Sequence, residues 1–72
     1  MLDYDYSRVL GRMKEQGYTQ ATFARALGIS ETTLNLSLNN KRTFKQDELY
    51  RACELLGIQI GNIAEYFFVH KH

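Results

Sequence analysis

The stretch from Thr19 to Lys41, TQATFARALGISETTLNLSLNNK, constrains this chain more than any other. It holds two short apolar-periodic segments separated by one tight break. In the first, Phe23, Ala24 and Leu27 share one face at the i, i+1, i+4 spacing of a helix that packs on one side. The break is Gly28, which can take the left-handed conformation that ends a helix. Ile29 follows, an apolar residue able to pack back into the corner. Ser30 reads as the N-cap of a second helix, whose Leu34 and Leu38 fall on its buried side. Two short helices joined through a glycine corner form a helix-turn-helix.

The pattern resembles the helix-turn-helix of small temperate-phage repressors and Cro-like regulators. Thr19-Gln20, Phe23-Ala24, Leu27-Gly28-Ile29-Ser30, Thr33-Leu34 and Leu38-Asn39-Asn40-Lys41 carry the resemblance. The opening DYSRVLGRMKE and the later DELYRACELLGI and EYFF segments extend it over nearly the whole chain, in the short form without an attached domain. The resemblance takes in the modulator-of-repression proteins of the same phages, within the lambda repressor-like family. It implies an all-α fold: a lambda repressor-like helix-turn-helix domain of five short helices.

Bulk properties fit that fold. Seventy-two residues make a single domain, 1–72, with the motif at about 19–38 and no room for a second core. The composition, 44% hydrophobic and 24% charged, is that of a globular domain, and a core this small gains from a partner. The single cysteine, Cys53, cannot form an internal disulfide; it reads as a small core hydrophobe and suits a reducing cytosol. The chain contains no apolar run near membrane-spanning length and no signal peptide, so the expected location is the cytoplasm of a bacterial host, with no membrane. The net charge of +1 is low for a nucleic-acid binder, so any basic footprint must be local.

The first helix is expected from about Asp5 to Gln16, with Asp3, Asp5 or Ser7 as its cap. Tyr6, Leu10 and Met13, with Val9 beside them, mark its inner face, and Gly17 ends it. Arg8, Arg12 and Lys14 lie outside that stripe; they are solvated surface, or Arg8 or Arg12 reaches a phosphate. Thr19 can cap the second helix, which places Gln20 in its first turn. The resemblance gives Gln20 a phosphate contact and a bracing role toward the third helix.

That third helix, from about Glu31 to Leu38, is the expected reading element, because its N-terminal end enters the major groove in this fold. By match to the family, Glu31, Thr32 and Leu36, with Asn35 nearby, face DNA bases or a repressor. The face departs from the usual chemistry, because the helix carries no arginine, lysine or glutamine. Ionised Glu31 only accepts hydrogen bonds, for example from cytosine N4, and repels phosphate. Leu36 can meet only an apolar patch, either a thymine methyl or another protein.

After this helix, Asn39 or Asn40 can end it, since asparagine tolerates left-handed geometry; Asn40 stands where the family commonly has glycine. Lys41, Arg42 and Lys45 form the densest basic cluster and, with Thr43, are candidate phosphate contacts. A fourth helix is expected from about Gln46 to Leu56, with Leu49, Cys53 and Leu56 inward and Ala52 near them. Gly57 ends it and Ile58 anchors the turn. Residues 59–68 read as a short fifth helix or irregular close. Ile63 and Phe67 are expected to seal the core, which leaves Tyr66 and Phe68 as a candidate dimer face. The tail from His70 to His72 is basic and polar.

No enzymatic constellation, metal motif or cofactor loop stands out, so a binding module is expected, with no cofactor. The leading sequence reading is a regulator of the lysis/lysogeny switch that binds operator DNA through its third helix, as a homodimer. The alternative is an antirepressor that binds the phage's main repressor with the same helix and masks its DNA-binding surface. The low net charge, Glu31 and Leu36 motivate that alternative.

Overall fold

Thr19 and Ser30 set the two starts that define the motif. The Thr22 N–H donates to Thr19 Oγ1 at 3.1 Å and the Thr19 N–H donates to Thr22 Oγ1 at 2.9 Å, a reciprocal cap. The Thr33 N–H donates to Ser30 Oγ at 3.0 Å. These satisfy backbone donors that a helix start leaves free. The computed structural model describes residues 3–71. Its elements are α1 (Ser7–Glu15), α2 (Gln20–Leu27), α3 (Glu31–Leu38), α4 (Gln46–Leu56), a single 3-10 turn (Ile60–Asn62) and α5 (Ile63–Phe67). The five helices and their order agree with the sequence expectation. Among the described residues the only β pairing is one isolated antiparallel bridge, Tyr4 to His70.

One apolar cluster joins every helix. Phe23, Ala24 and Leu27 from α2 meet Leu34 from α3, Ala52, Cys53 and Leu56 from α4, and Phe67 from α5. Val9 and Met13 from α1, with Tyr6 just before it, close one side. Leu38, Leu49 and Ile63 pack at its edge, half-buried. The rings of Tyr6, Phe44 and Phe67 sit edge-to-face, with centroids 5.6 to 6.5 Å apart.

Leu10 corrects the sequence reading of α1, for it is exposed at 40%. Tyr6, Val9 and Met13 already supply the inward stripe, and the next residue after Val9 turns about 100° around the helix, away from the core. The cap of α1 also differs in detail. Tyr6 holds the N-cap position with no side-chain cap bond, while Asp5 Oδ1 accepts the Ser7 N–H at 2.9 Å.

The turn inside the motif depends on Gly28, whose φ of 80° is left-handed. It lets the Gly28 N–H reach Arg25 O at 3.1 Å and the Ile29 N–H reach Ala24 O at 3.0 Å, so both carbonyls are satisfied. Two arginines reinforce helix ends from a distance. Arg51 Nη1 donates to Leu27 O at 3.4 Å, and Arg12 Nε donates to Leu56 O at 2.7 Å. Both cations lie where the helix dipole is negative. Arg12 therefore caps α4, which is a different role from the phosphate contact weighed for it. Arg8 Nη1 donates to Glu65 O at 3.3 Å.

Candidate functional site

The outer face of α3 follows from what the inner face buries. Leu34 and Ser37 are fully inside, at 0% exposure. Helical periodicity then turns Glu31, Thr32, Asn35 and Leu36 outward, and all four are exposed. Gln20, in the first turn of α2, reaches the same place: Asn35 Nδ2 donates to Gln20 Oε1 at 3.4 Å. Gln20, Glu31, Thr32 and Asn35 together line a shallow polar hollow of about 270 Å³. Leu36, on the same helix, stands out of the surface at 40% exposure. The structure thus joins Gln20, expected as a phosphate contact and a brace for the third helix, to Asn35 of the group expected to face bases or a repressor, 15 positions away. Its chemistry is two amides, a hydroxyl, one carboxylate and one apolar side chain.

The basic loop is divided. Lys41, Thr43 and Lys45 are exposed. Arg42 departs from the expectation that grouped it with them as a phosphate contact, because its guanidinium is turned inward and engaged. Nη1 donates to Glu48 Oε1 at 3.0 Å and to Ser37 Oγ at 2.8 Å, while Nη2 donates to Glu48 Oε2 at 2.8 Å. The Lys45 N–H adds a bond to Glu48 Oε1 at 3.1 Å. Hydrogen bonding from Arg42 holds the Glu48 carboxyl below its ordinary pKa, against the opposing effect of burial, and the Lys45 N–H adds to the lowering. Ser37 and Glu48 are the buried polar residues that sequence reasoning missed. The available signal was Glu48 itself, three residues after the residue preceding α4, where a carboxylate reaches back to an N-cap N–H.

Tyr66 packs partly against the core, while Phe68 is 42% exposed. Phe68 lines an apolar groove with Leu49, Tyr50, Ile60 and Ile63, so the exposed apolar area lies between α4 and the final turn and is not centred on Tyr66. Burial pushes the Cys53 thiol pKa up, which disfavours the reactive thiolate. Among the described residues, no cluster of three or more His, Cys, Asp or Glu could hold a metal. Among the described residues, no helix is long and apolar enough to cross a membrane.

A family model described as a protein of unknown function, DUF739, matches residues 2–70. The chain belongs to this family. The DUF739 chain is also similar to a solved phage protein, the modulator of repression of the temperate bacteriophage TP901-1 from Lactococcus lactis, known from its solution structure. The two are 45% identical, the match covers 92% of this chain and 89% of the other, and the TM-score is 0.78. No curated protein matches. A likeness at this identity over nearly the full length of both chains makes this DUF739 protein a member of the short Cro-like, modulator-of-repression group, and its general role is phage gene regulation.

Proposed function

We propose that this chain is a modulator of repression: it binds its phage's main repressor through the outer face of α3 and covers the surface that the repressor uses to hold operator DNA. The observation that carries this reading is the 45% identity, over 92% of the chain, to a phage modulator of repression. The chemistry of α3 supports it. A helix meant for the major groove gains from arginine, lysine or glutamine, and α3 has none. Its one charge, Glu31, disfavours phosphate but suits a basic side chain of the kind a repressor uses on DNA. Leu36 serves as the apolar anchor. Gln20, Thr32 and Asn35 supply hydrogen bonds around it. Lys41, Thr43 and Lys45 form the rim, where charge affects the rate of encounter more than the final affinity. Of the two readings drawn from the sequence, the comparison thus favours the antirepressor over direct operator binding.

A mobility-shift experiment tests it, with DNA from the phage's own operator region and the neighbouring repressor. The chain alone is expected to leave the DNA unshifted, and its addition to the repressor–operator complex is expected to release the DNA. Specific, saturable binding of the chain alone, with the repressor complex undisturbed, would refute the proposal in favour of a Cro-like regulator.

A further inference from the structure

Three helices in this fold close on an apolar residue, and α3 does not. At the ends of α1, α2 and α4, a left-handed glycine is followed by a residue whose N–H reaches back five positions. Tyr18 N–H bonds Met13 O at 2.9 Å, Ile29 N–H bonds Ala24 O at 3.0 Å, and Ile58 N–H bonds Cys53 O at 2.9 Å. Tyr18 and Ile29 pack on the core and Ile58 is part of it. These contacts are the hydrophobic complement that usually accompanies this closure.

The end of α3 makes the same pair of backbone bonds with different residues. Asn40 N–H bonds Ser37 O at 3.2 Å and Lys41 N–H bonds Leu36 O at 2.8 Å. The left-handed residue is Asn40, with φ 62°, the one non-glycine with positive φ among the described residues. The residue after it is Lys41, which is exposed and anchors nothing apolar.

A different anchor stands in its place. The Tyr4 N–H donates to Asn40 Oδ1 at 2.8 Å, and Asn40 Nδ2 donates to Tyr4 O at 2.9 Å. A side-chain amide carries the same donor and acceptor as a peptide, so Asn40 pairs with Tyr4 as a neighbouring strand would. The other side of this segment is held by the far end of the chain. Tyr4 bridges His70, Asp5 N–H bonds Val69 O at 2.6 Å, and Lys71 N–H bonds Asp3 O at 3.0 Å. The Tyr4 ring lies 5.8 Å from that of Phe68. Residues 3–5 and 69–71 thus form a strap, and Asn40 is its attachment to the exit of α3.

We infer that Asn40 is a positioning residue for the α3 surface, making the last turn of that helix, which bears Leu36, conditional on the strap formed by the two ends of the chain. Glycine would accept the same left-handed backbone with less strain, and only asparagine also reaches Tyr4. Opening the strap leaves the Leu36 carbonyl and Lys41 N–H held by local bonds alone. The effect on repressor binding rests on the function proposed above; the coupling of strap to helix does not.

Amide hydrogen exchange on the full chain tests the coupling without a partner. Asn40→Gly keeps the left-handed geometry and removes the side-chain amide. Lys71→Pro removes the N–H given to Asp3, a bond made away from α3. In both variants the Tyr4 and Lys41 amides should exchange roughly tenfold faster, the scale expected for losing one or two neutral hydrogen bonds. The Ile58 amide, at the end of α4, should keep its wild-type rate. Unchanged Lys41 exchange in Lys71→Pro overturns the coupling, as does acceleration of Ile58 by the same factor, which would mark global destabilisation. Repressor affinity, measured on the same variants, should fall about threefold, the effect of losing part of one hydrogen bond's worth of order. Faster Lys41 exchange with unchanged affinity would overturn the role of Asn40 in presenting the binding surface while leaving the strap intact.

Discussion

Arg42 lays its two terminal nitrogens on the two carboxylate oxygens of Glu48, at 3.0 and 2.8 Å, and so fastens the loop after α3 to the first turn of α4. The Glu48 side chain is 7% exposed and that of Arg42 24%. The fork also takes in Ser37, so α3, loop and α4 share one polar centre. Arg42→Ala would strand a buried carboxylate. The loss expected for breaking such a pair is about 3–5 kcal/mol, and the partial exposure of Arg42 places it at the low end. Chemical denaturation measures it. Arg42→Lys should recover only part, because an ammonium cannot make the two-pronged contact.

The same pair gives the fold a pH dependence. Folding lowers the pKa of Glu48, chiefly through the Arg42 hydrogen bonds, so the ionised form is favoured in the native state. That contribution to stability is complete above the unfolded carboxyl pKa of about 4.3 and is lost as pH falls through the lower folded value. Asp5 acts in the same direction, lowered by its hydrogen bond from the Ser7 backbone N–H. Melting curves across this acid range should steepen in their loss for the wild type. Glu48→Gln should be less stable at neutral pH and less sensitive to acid.

Two leucines provide a contrast in packing. Leu34 is wholly buried where α2, α3 and α4 converge on the core, whereas Leu10 is 40% exposed on α1. Leu34→Ala should cost about 2–5 kcal/mol, from lost burial plus the cavity left behind. Leu10→Ala should stay within about 0.5 kcal/mol of wild type, as for surface substitutions generally. Thermal melting of both variants, at equal concentration, reads the difference; equal losses would show that the burial pattern of α1 is wrong.

On the outer face of α3, Glu31→Gln and Leu36→Ala separate the two regulatory chemistries. If Glu31 meets a basic residue of the repressor, removing its charge should weaken that complex by about 2–5 kcal/mol for a buried pair and much less at a rim. Leu36→Ala should weaken repressor binding through loss of an apolar anchor. Calorimetric titration against the purified repressor provides both values. Neither variant should disturb folding, because both side chains are exposed. A gain of operator affinity in Glu31→Gln, with repressor affinity unchanged, would instead point to DNA as the partner.

The amino-acid sequence by itself determined the order of the helices and the ends of α2, α3 and α4. The caps at Thr19 and Ser30 and the corner at Gly28 are decided by residues within about one turn of each other, and such local preferences are readable in order along the chain. The α4 boundaries, Gln46 to Leu56, were legible for the same reason. The grouping of Glu31, Thr32, Asn35 and Leu36 came from the family resemblance, and all four are exposed on the side of α3 away from the buried Leu34.

Only the tertiary structure decided which polar groups were free to act. Arg42 reads as one of three neighbouring cations until Glu48 and the buried Ser37 surround it. Leu10 reads as core until Tyr6, Val9 and Met13 fill the space. The pairing of Tyr4 with Asn40 spans 36 positions and follows no local propensity. A hydrogen bond between distant residues forms only when the rest of the fold has brought them together, so its partners are set by packing rather than by their immediate neighbours in the chain.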